Sequence, residues 1–212
     1  MQRLRRSMMF VPGNNPGKLQ TADIYGADSV IFDLEDAVAI TEKDSARTLV
    51  YEMVKTIDYA CEVAIRINHI STPFGYDDLE AVLPAKPGLI RLPKAESADE
   101  IKEVAAIITK VEEKCGFEKG SIKMGAAIET AKGLRQAYNI ASASERMVFL
   151  AIGGEDFIAD MRTTRSKGGQ ELFVARSQLI FAAREAGIQA MDTVFSDAKD
   201  REGFLAEGGF IR

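Results

Sequence analysis

The sequence predicts an α/β protein of the (β/α)8 TIM-barrel class, and three observations carry that reading. Short apolar runs alternate with amphipathic stretches along the whole chain, which is the signature of successive parallel βαβ units. No glycine-rich GxGxxG follows the first run, as a doubly wound dinucleotide-binding sheet would have it. Polar residues gather just past the ends of several different runs, where barrels build their sites. A flavodoxin-like sheet is the structural alternative.

The runs at 7–11, 29–34, 62–68, 88–93, 122–129, 147–152 and 189–195 are rich in Val, Ile, Phe or Met and end in turn-forming or polar residues, so each reads as a buried strand. After the first, Asn15-Pro16 supplies a cap and an N1 proline for a helix carrying Leu19 and Ala22. After the second, Thr41-Glu42-Lys43-Asp44 resembles a capping box, followed by Ala46, Leu49, Val50, Met53, Val54 and Ile57 at helical spacing. After the fourth, Ser97-Ala98-Asp99-Glu100 is a second capping box ahead of Ile101, Val104, Ala105, Ile108 and Val111. The stripe Leu172, Ala175, Leu179, Ala182, Ala183 closes at Gly187, a C′ glycine. One domain over residues 1–212 is expected, incomplete at the C-terminus, because an eighth strand would still be needed where the chain reaches Gly208-Gly209-Phe210-Ile211-Arg212.

Composition narrows the partners. The 212 residues hold 27 Lys+Arg against 32 Asp+Glu, a net charge of −5, so the basic footprint of a nucleic-acid binder is missing. No run approaches the roughly 18 apolar residues of a membrane span. The basic start Met1-Gln2-Arg3-Leu4-Arg5-Arg6 is followed by an apolar stretch that stops at Pro12-Gly13, too short for a signal peptide. Cys61 and Cys115 lack the spacing of a zinc site or a disulfide framework. A cytoplasmic protein is expected.

Chemistry-bearing residues sit at the strand ends. In Val63-Ala64-Ile65-Arg66-Ile67-Asn68, alternation places Ala64, Arg66 and Asn68 together, opposite the large aliphatic face. An arginine there serves either a substrate carboxylate or thioester, which its planar fork suits, or an internal ion pair. Glu129 ends the fifth run after small residues, and the sixth leads into Gly153-Gly154-Glu155-Asp156, whose glycines permit a tight turn. Carboxylates ending adjacent strands, about 4.8 Å apart, can share one Mg²⁺ that keeps positions for water and substrate. Helix capping is the structural reading of the same acids, and Glu155 is the substitute ligand. Glu35 and Asp36, ending the second run, read as residues that orient metal-bound water or the nearby cations from behind, with Asn68 beside them. Arg91 and Lys94 read equally as partners of these acids and as substrate contacts. The loop Pro12-Gly13-Asn14-Asn15-Pro16-Gly17-Lys18, with Arg6 before it, reads as either a phosphopantetheine-arm site using Arg6 and Lys18 or a solvated loop. His69 stands alone, without a nucleophile motif, and reads as a loop residue.

Taken in order, Arg6-Ser7-Met8-Met9-Phe10-Val11-Pro12-Gly13, Phe32-Asp33-Leu34-Glu35-Asp36, Arg66-Ile67-Asn68, Arg91-Leu92-Pro93-Lys94, Ala126-Ala127-Ile128-Glu129 and Gly153-Gly154-Glu155-Asp156 resemble the HpcH/HpaI aldolase–citrate lyase family. Glu42-Lys43-Asp44-Ser45-Ala46-Arg47 and Gly187-Ile188-Gln189-Ala190-Met191-Asp192-Thr193-Val194 look like its citrate lyase branch. The resemblance implies a Mg²⁺-dependent lyase that cleaves a citryl thioester, on an acyl carrier protein or as citryl-CoA, with Glu129 and Asp156 on the metal and Arg66 and Glu129 on the substrate. It implies work beside the citrate lyase α subunit and the acyl carrier (γ) subunit, in a homo-oligomer, trimeric or larger. A malyl- or methylmalyl-CoA lyase or thioesterase is an alternative on the same barrel, and a non-catalytic subunit of a lyase complex is another.

Overall fold

Each apolar run is a strand in the computed structural model, which describes residues 3–195, 197 and 199–210. In chain order the elements are β1 (Met8–Pro12), α1 (Pro16–Gln20), β2 (Ser29–Asp33), α2 (Lys43–Thr56), β3 (Glu62–Arg66), α3 (Gly75–Val82), β4 (Leu89–Leu92), α4 (Ala98–Cys115), β5 (Lys123–Ile128), α5 (Ala131–Arg135), α6 (Ala137–Ala141), β6 (Met147–Ile152), α7 (Gly154–Asp160), α8 (Phe173–Glu185), β7 (Gln189–Met191) and α9 (Arg201–Phe210). Met1, Gln2, Ile211 and Arg212, which figure in the expectations about the two ends, lie outside the described residues.

Among the described residues the sheet has seven strands in the order β1-β2-β3-β4-β5-β6-β7. That order never reverses, so the sheet lacks the switch point of a doubly wound fold, and the flavodoxin-like alternative is set aside. The β1–β2, β2–β3, β3–β4 and β6–β7 pairs are parallel. Among the described residues no helix is long and apolar enough to cross a membrane.

The chain divides into two compact units. The first comprises Met1–Pro93, Lys102–Gly125 and Ser144–Arg146; the second comprises Lys94–Ile101, Ala126–Ala143 and Met147–Arg212. Phe32, Ile31, Ile65, Leu79 and Ile90 are fully buried in the first; each contributes about 1.5–3 kcal/mol by leaving water. Two buried ion pairs also sit there: Arg5 with Glu62 at 2.6 Å, and Arg146 with Glu112 at 2.5 Å. The second unit packs Phe149, Leu150, Ile140, Leu172 and Leu179.

Helix ends follow the sequence signals in all but one case. Asn15 accepts from Lys18 N–H at 3.0 Å and caps α1. At α4, Glu100 N–H donates to Ser97 Oγ at 3.3 Å and Ser97 N–H donates back to the Glu100 carboxylate at 3.2 Å, a closed capping box. At α8, Gly187 N–H bonds to Arg184 O and Ile188 N–H to Ala183 O, a Schellman ending with Gly187 at φ 73°. The Thr41 box does not form. Ile40–Glu42 is instead a 3₁₀ turn, and Glu42 precedes α2 without a side-chain cap. Buried Lys43 sets this start, since its Nζ donates to Leu34 O at 2.8 Å and Glu35 O at 3.0 Å and draws the first turn onto the end of β2.

Candidate functional site

Two groups of charged side chains stand at strand C-termini, one in each unit. In the first unit, register sets Asp33 beside Arg66, and Arg66 beside Arg91. Arg66 Nε and Nη2 donate to the two Asp33 oxygens at 2.7 and 2.6 Å, a bidentate fork. Its Nη1 lies 3.0 Å from Glu35 Oε2 and 3.5 Å from the more exposed Asp36. Asp33 also accepts from the backbone N–H groups of Glu35 and Ala37, both at 2.9 Å, which shapes the loop holding the other two acids. The Phe10 ring lies 4.9 Å from the Arg66 guanidinium and 5.1 Å from that of Arg91, so one aromatic ring supports both cations.

This environment decides the charges. Burial pushes the Asp33 carboxyl up, but the Arg66 fork and the two backbone donors outweigh it, so the group stays below the usual carboxylate range. Burial works against the Arg66 charge too, and the three acids outweigh it and hold the guanidinium protonated. The internal ion pair weighed for Arg66 is therefore present, and Nη1 is the edge that faces an exposed group.

In the second unit, Glu129 directly follows β5 and is 2% exposed, whereas Asp156 lies in the first turn of α7 with a side chain 48% exposed. Lys94 Nζ is 3.9 Å from Glu129 Oε2 and 3.9 Å from Asp156 Oδ2, so both carboxylates face one cation. Gly153 N–H donates to Ile128 O at 2.9 Å and joins the two strand ends that carry the acids. Glu129 is not the cap of α5; Thr130 takes that place, accepting from Gly133 N–H at 3.0 Å. The donor set is two hard carboxylate oxygens, one recessed and one open to solvent, which suits an ion that keeps water and substrate as further ligands. Among the described residues no three His, Cys, Asp or Glu side chains are grouped to hold a metal, so these two give only part of a coordination shell.

The remaining candidates are placed as follows. Arg6 forks onto Asp28 at 2.6 and 2.9 Å, ahead of β1 and β2, at the opposite strand ends from Asp33 and Arg66. That ion pair gives Arg6 a structural role, and the strand direction takes it away from the acids. Lys18 is exposed on α1. Asn68 is buried, donating from Nδ2 to Leu34 O at 2.8 Å and to Asp78 at 2.6 Å, and so braces the loop after β3. Glu155, the substitute ligand, pairs with Arg165. His69 Nδ1 meets Ser71 Oγ at 2.8 Å within its own loop. Asp33, Phe10 and the bridging position of Lys94 were not singled out from sequence. The available signal for Asp33 was an acid inside an otherwise apolar strand, but its partner depends on register.

Residues 6–212 match the HpcH/HpaI aldolase/citrate lyase family. The chain is 51% identical over 211 residues to the citrate lyase subunit beta of Leuconostoc mesenteroides subsp. cremoris, covering 99% of this chain and 70% of that one. It is 47% identical to the citrate lyase subunit beta of Haemophilus influenzae, covering 99% and 72%. Among solved structures, a citrate lyase beta subunit from M. tuberculosis complexed with oxaloacetate and magnesium superposes with a TM-score of 0.78 at 32% identity, covering 94% of this chain and 83% of that one.

Proposed function

The chain belongs to the HpcH/HpaI aldolase/citrate lyase family, and from that premise we propose that it is a Mg²⁺-dependent lyase splitting a citryl thioester into oxaloacetate and an acetyl thioester. The observation that carries the reading is the placement of Glu129 and Asp156 about a single cation. The sequence likeness to citrate lyase beta subunits supports the substrate class, and the magnesium and oxaloacetate named for the M. tuberculosis relative support the cofactor and the product.

Glu129 and Asp156 would hold the metal, the first from a recessed position and the second from the solvent side. When bound, Mg²⁺ supplies Lewis-acid polarisation of substrate oxygens. The reaction itself is a retro-Claisen cleavage. The citryl hydroxyl loses its proton, the C–C bond breaks, its electron pair moves onto the thioester as an enolate, and the enolate carbon then takes a proton. Arg66, kept charged and fixed by Asp33, is assigned the stabilisation of the developing oxyanion through its Nη1 edge; such donors contribute about 3–4 kcal/mol. Glu35 and Asp36 hold that edge in place, and Asn68 braces the neighbouring loop.

The same reading takes the sheet as part of a (β/α)8 barrel in one domain, acting in the cytoplasm beside an α subunit and an acyl carrier γ subunit, in a trimer or larger homo-oligomer. The test is Mg²⁺-dependent release of oxaloacetate from citryl-CoA by the wild type and by Asp156→Ala. Release by the first and not the second is the expected result. Equal release by both would remove Asp156 from the chemistry, and turnover of malyl-CoA in place of citryl-CoA would reassign the substrate.

A further inference from the structure

Lys94 follows β4 in the left-handed region, at φ 47°. Glycine or asparagine takes that conformation at less cost than lysine. The backbone there is tied down, because Ala95 N–H donates to Ala127 O at 3.0 Å, at the end of β5. From this anchored point Nζ stands 3.9 Å from an oxygen of Glu129 and 3.9 Å from one of Asp156. Both distances exceed a hydrogen bond. The ammonium therefore acts as a charge set between two carboxylates, with only 38% of its side chain exposed.

We propose that Lys94 is the built-in counter-cation of the Glu129–Asp156 pair, a positioning residue that holds the carboxylates together in the metal-free protein and sets how tightly they take a divalent cation. The proposal rests on the reading of those two acids as the metal-holding pair. Two anions drawn to one place repel each other unless a cation stands near them, and one ammonium offsets part of that repulsion. A divalent ion entering the same place meets the two anions and also the ammonium. Metal and lysine thus compete for the same charge, and removing the lysine favours the metal.

The experiment is calorimetric titration of the intact protein with Mg²⁺, alongside melting temperatures with and without the ion, for wild type, Lys94→Met, Lys94→Arg and Glu129→Gln. Lys94→Met is expected to bind Mg²⁺ about tenfold more tightly, to melt lower than wild type without metal, and to gain more on adding it. Lys94→Arg, which keeps the charge, is expected to bind as wild type does. Affinity in Lys94→Met equal to or weaker than wild type overturns the proposal. Binding that survives Glu129→Gln places the ion elsewhere and overturns the metal reading with it. Lys94→Asn, which suits φ 47°, removes the charge without backbone strain and serves should the methionine variant fail to fold.

Discussion

Gly153 stands where any side chain would displace Glu129: a Cβ built on it would lie 2.4 Å from Glu129 Cγ and 2.9 Å from Oε1. Its φ of −94° is open to ordinary residues, so the glycine is kept for space and not for the tight turn that Gly153-Gly154 suggests in sequence. Glu129, directly after β5, is 2% exposed, so a side chain at 153 would press on a buried group. Gly153→Ala is therefore expected to lower kcat/KM by about 100-fold or more, the scale of a misplaced reacting group, and to weaken Mg²⁺ binding. Overpacking should cost only about 1–3 kcal/mol of stability. Steady-state kinetics and a metal titration on the folded variant check this; wild-type values in both would remove Glu129 from the site.

The Asp33–Arg66 fork gives a second prediction. Lysine at position 66 keeps the charge but cannot engage both Asp33 oxygens while presenting a further N–H. Arg66→Lys is expected to lose about 10²–10³ in kcat/KM, the range for removal of an oxyanion donor, with the loss in kcat. Asp33→Ala leaves the guanidinium buried without its carboxylate and is expected to destabilise the fold by about 3–5 kcal/mol. Kinetics of the first variant and urea unfolding of the second separate the two roles. An unchanged kcat/KM in Arg66→Lys would leave Arg66 with the ion pair alone.

Much of this was legible in the sequence, for physical reasons that also mark where legibility ends. The strands and the ends of α1, α4 and α8 depend on local chemistry: apolar runs, Asn15-Pro16, the Ser97–Glu100 box and Gly187. The start of α2 was misread because Lys43 reaches across to β2, a tertiary contact that overrides a local cap. Arg66, Glu129 and Asp156 could be picked out because charged residues at the ends of buried strands need a reason. Asp33 and Phe10 could not, because what they do depends on register, and Lys94 was legible as a partner of the acids but not as the cation facing both Glu129 and Asp156. Arg6 was read with the glycine-bearing loop before α1 as either an anion-arm site or part of a solvated loop, and its pairing with Asp28 was not legible because it depends on how β1 and β2 lie side by side.

His69 provides a control. Its ring meets Ser71 within one loop. His69 is half-buried, and His69→Ala is expected to leave kcat/KM unchanged while costing about 0.5–3 kcal/mol of stability, the ordinary range for a point substitution. A large loss of kcat/KM in this variant would give the histidine a catalytic part.

Glu112 and Arg146 make a buried pair whose effect should appear in the fold and not in the chemistry. Burial pushes the Glu112 carboxyl up. The Arg146 fork and the backbone N–H groups of Ile122 and Gly120 more than reverse this and hold it at about 2. An unfolded glutamate titrates near 4.3, so between these values the unfolded chain binds more protons than the folded one. Stability from this group is then fully present above about pH 4.3 and is lost as pH falls through about 2. Glu112→Gln removes the titration and leaves Arg146 buried without its anion, a cost of about 3–5 kcal/mol at pH 7. The stability difference between wild type and variant is expected to be constant from pH 7 to 5 and to shrink steadily between pH 4 and 2, while kcat of the folded variant stays at the wild-type value. Urea unfolding across that range checks it, and a difference that did not change with pH would mean that the Arg146 contact does not hold the carboxyl down.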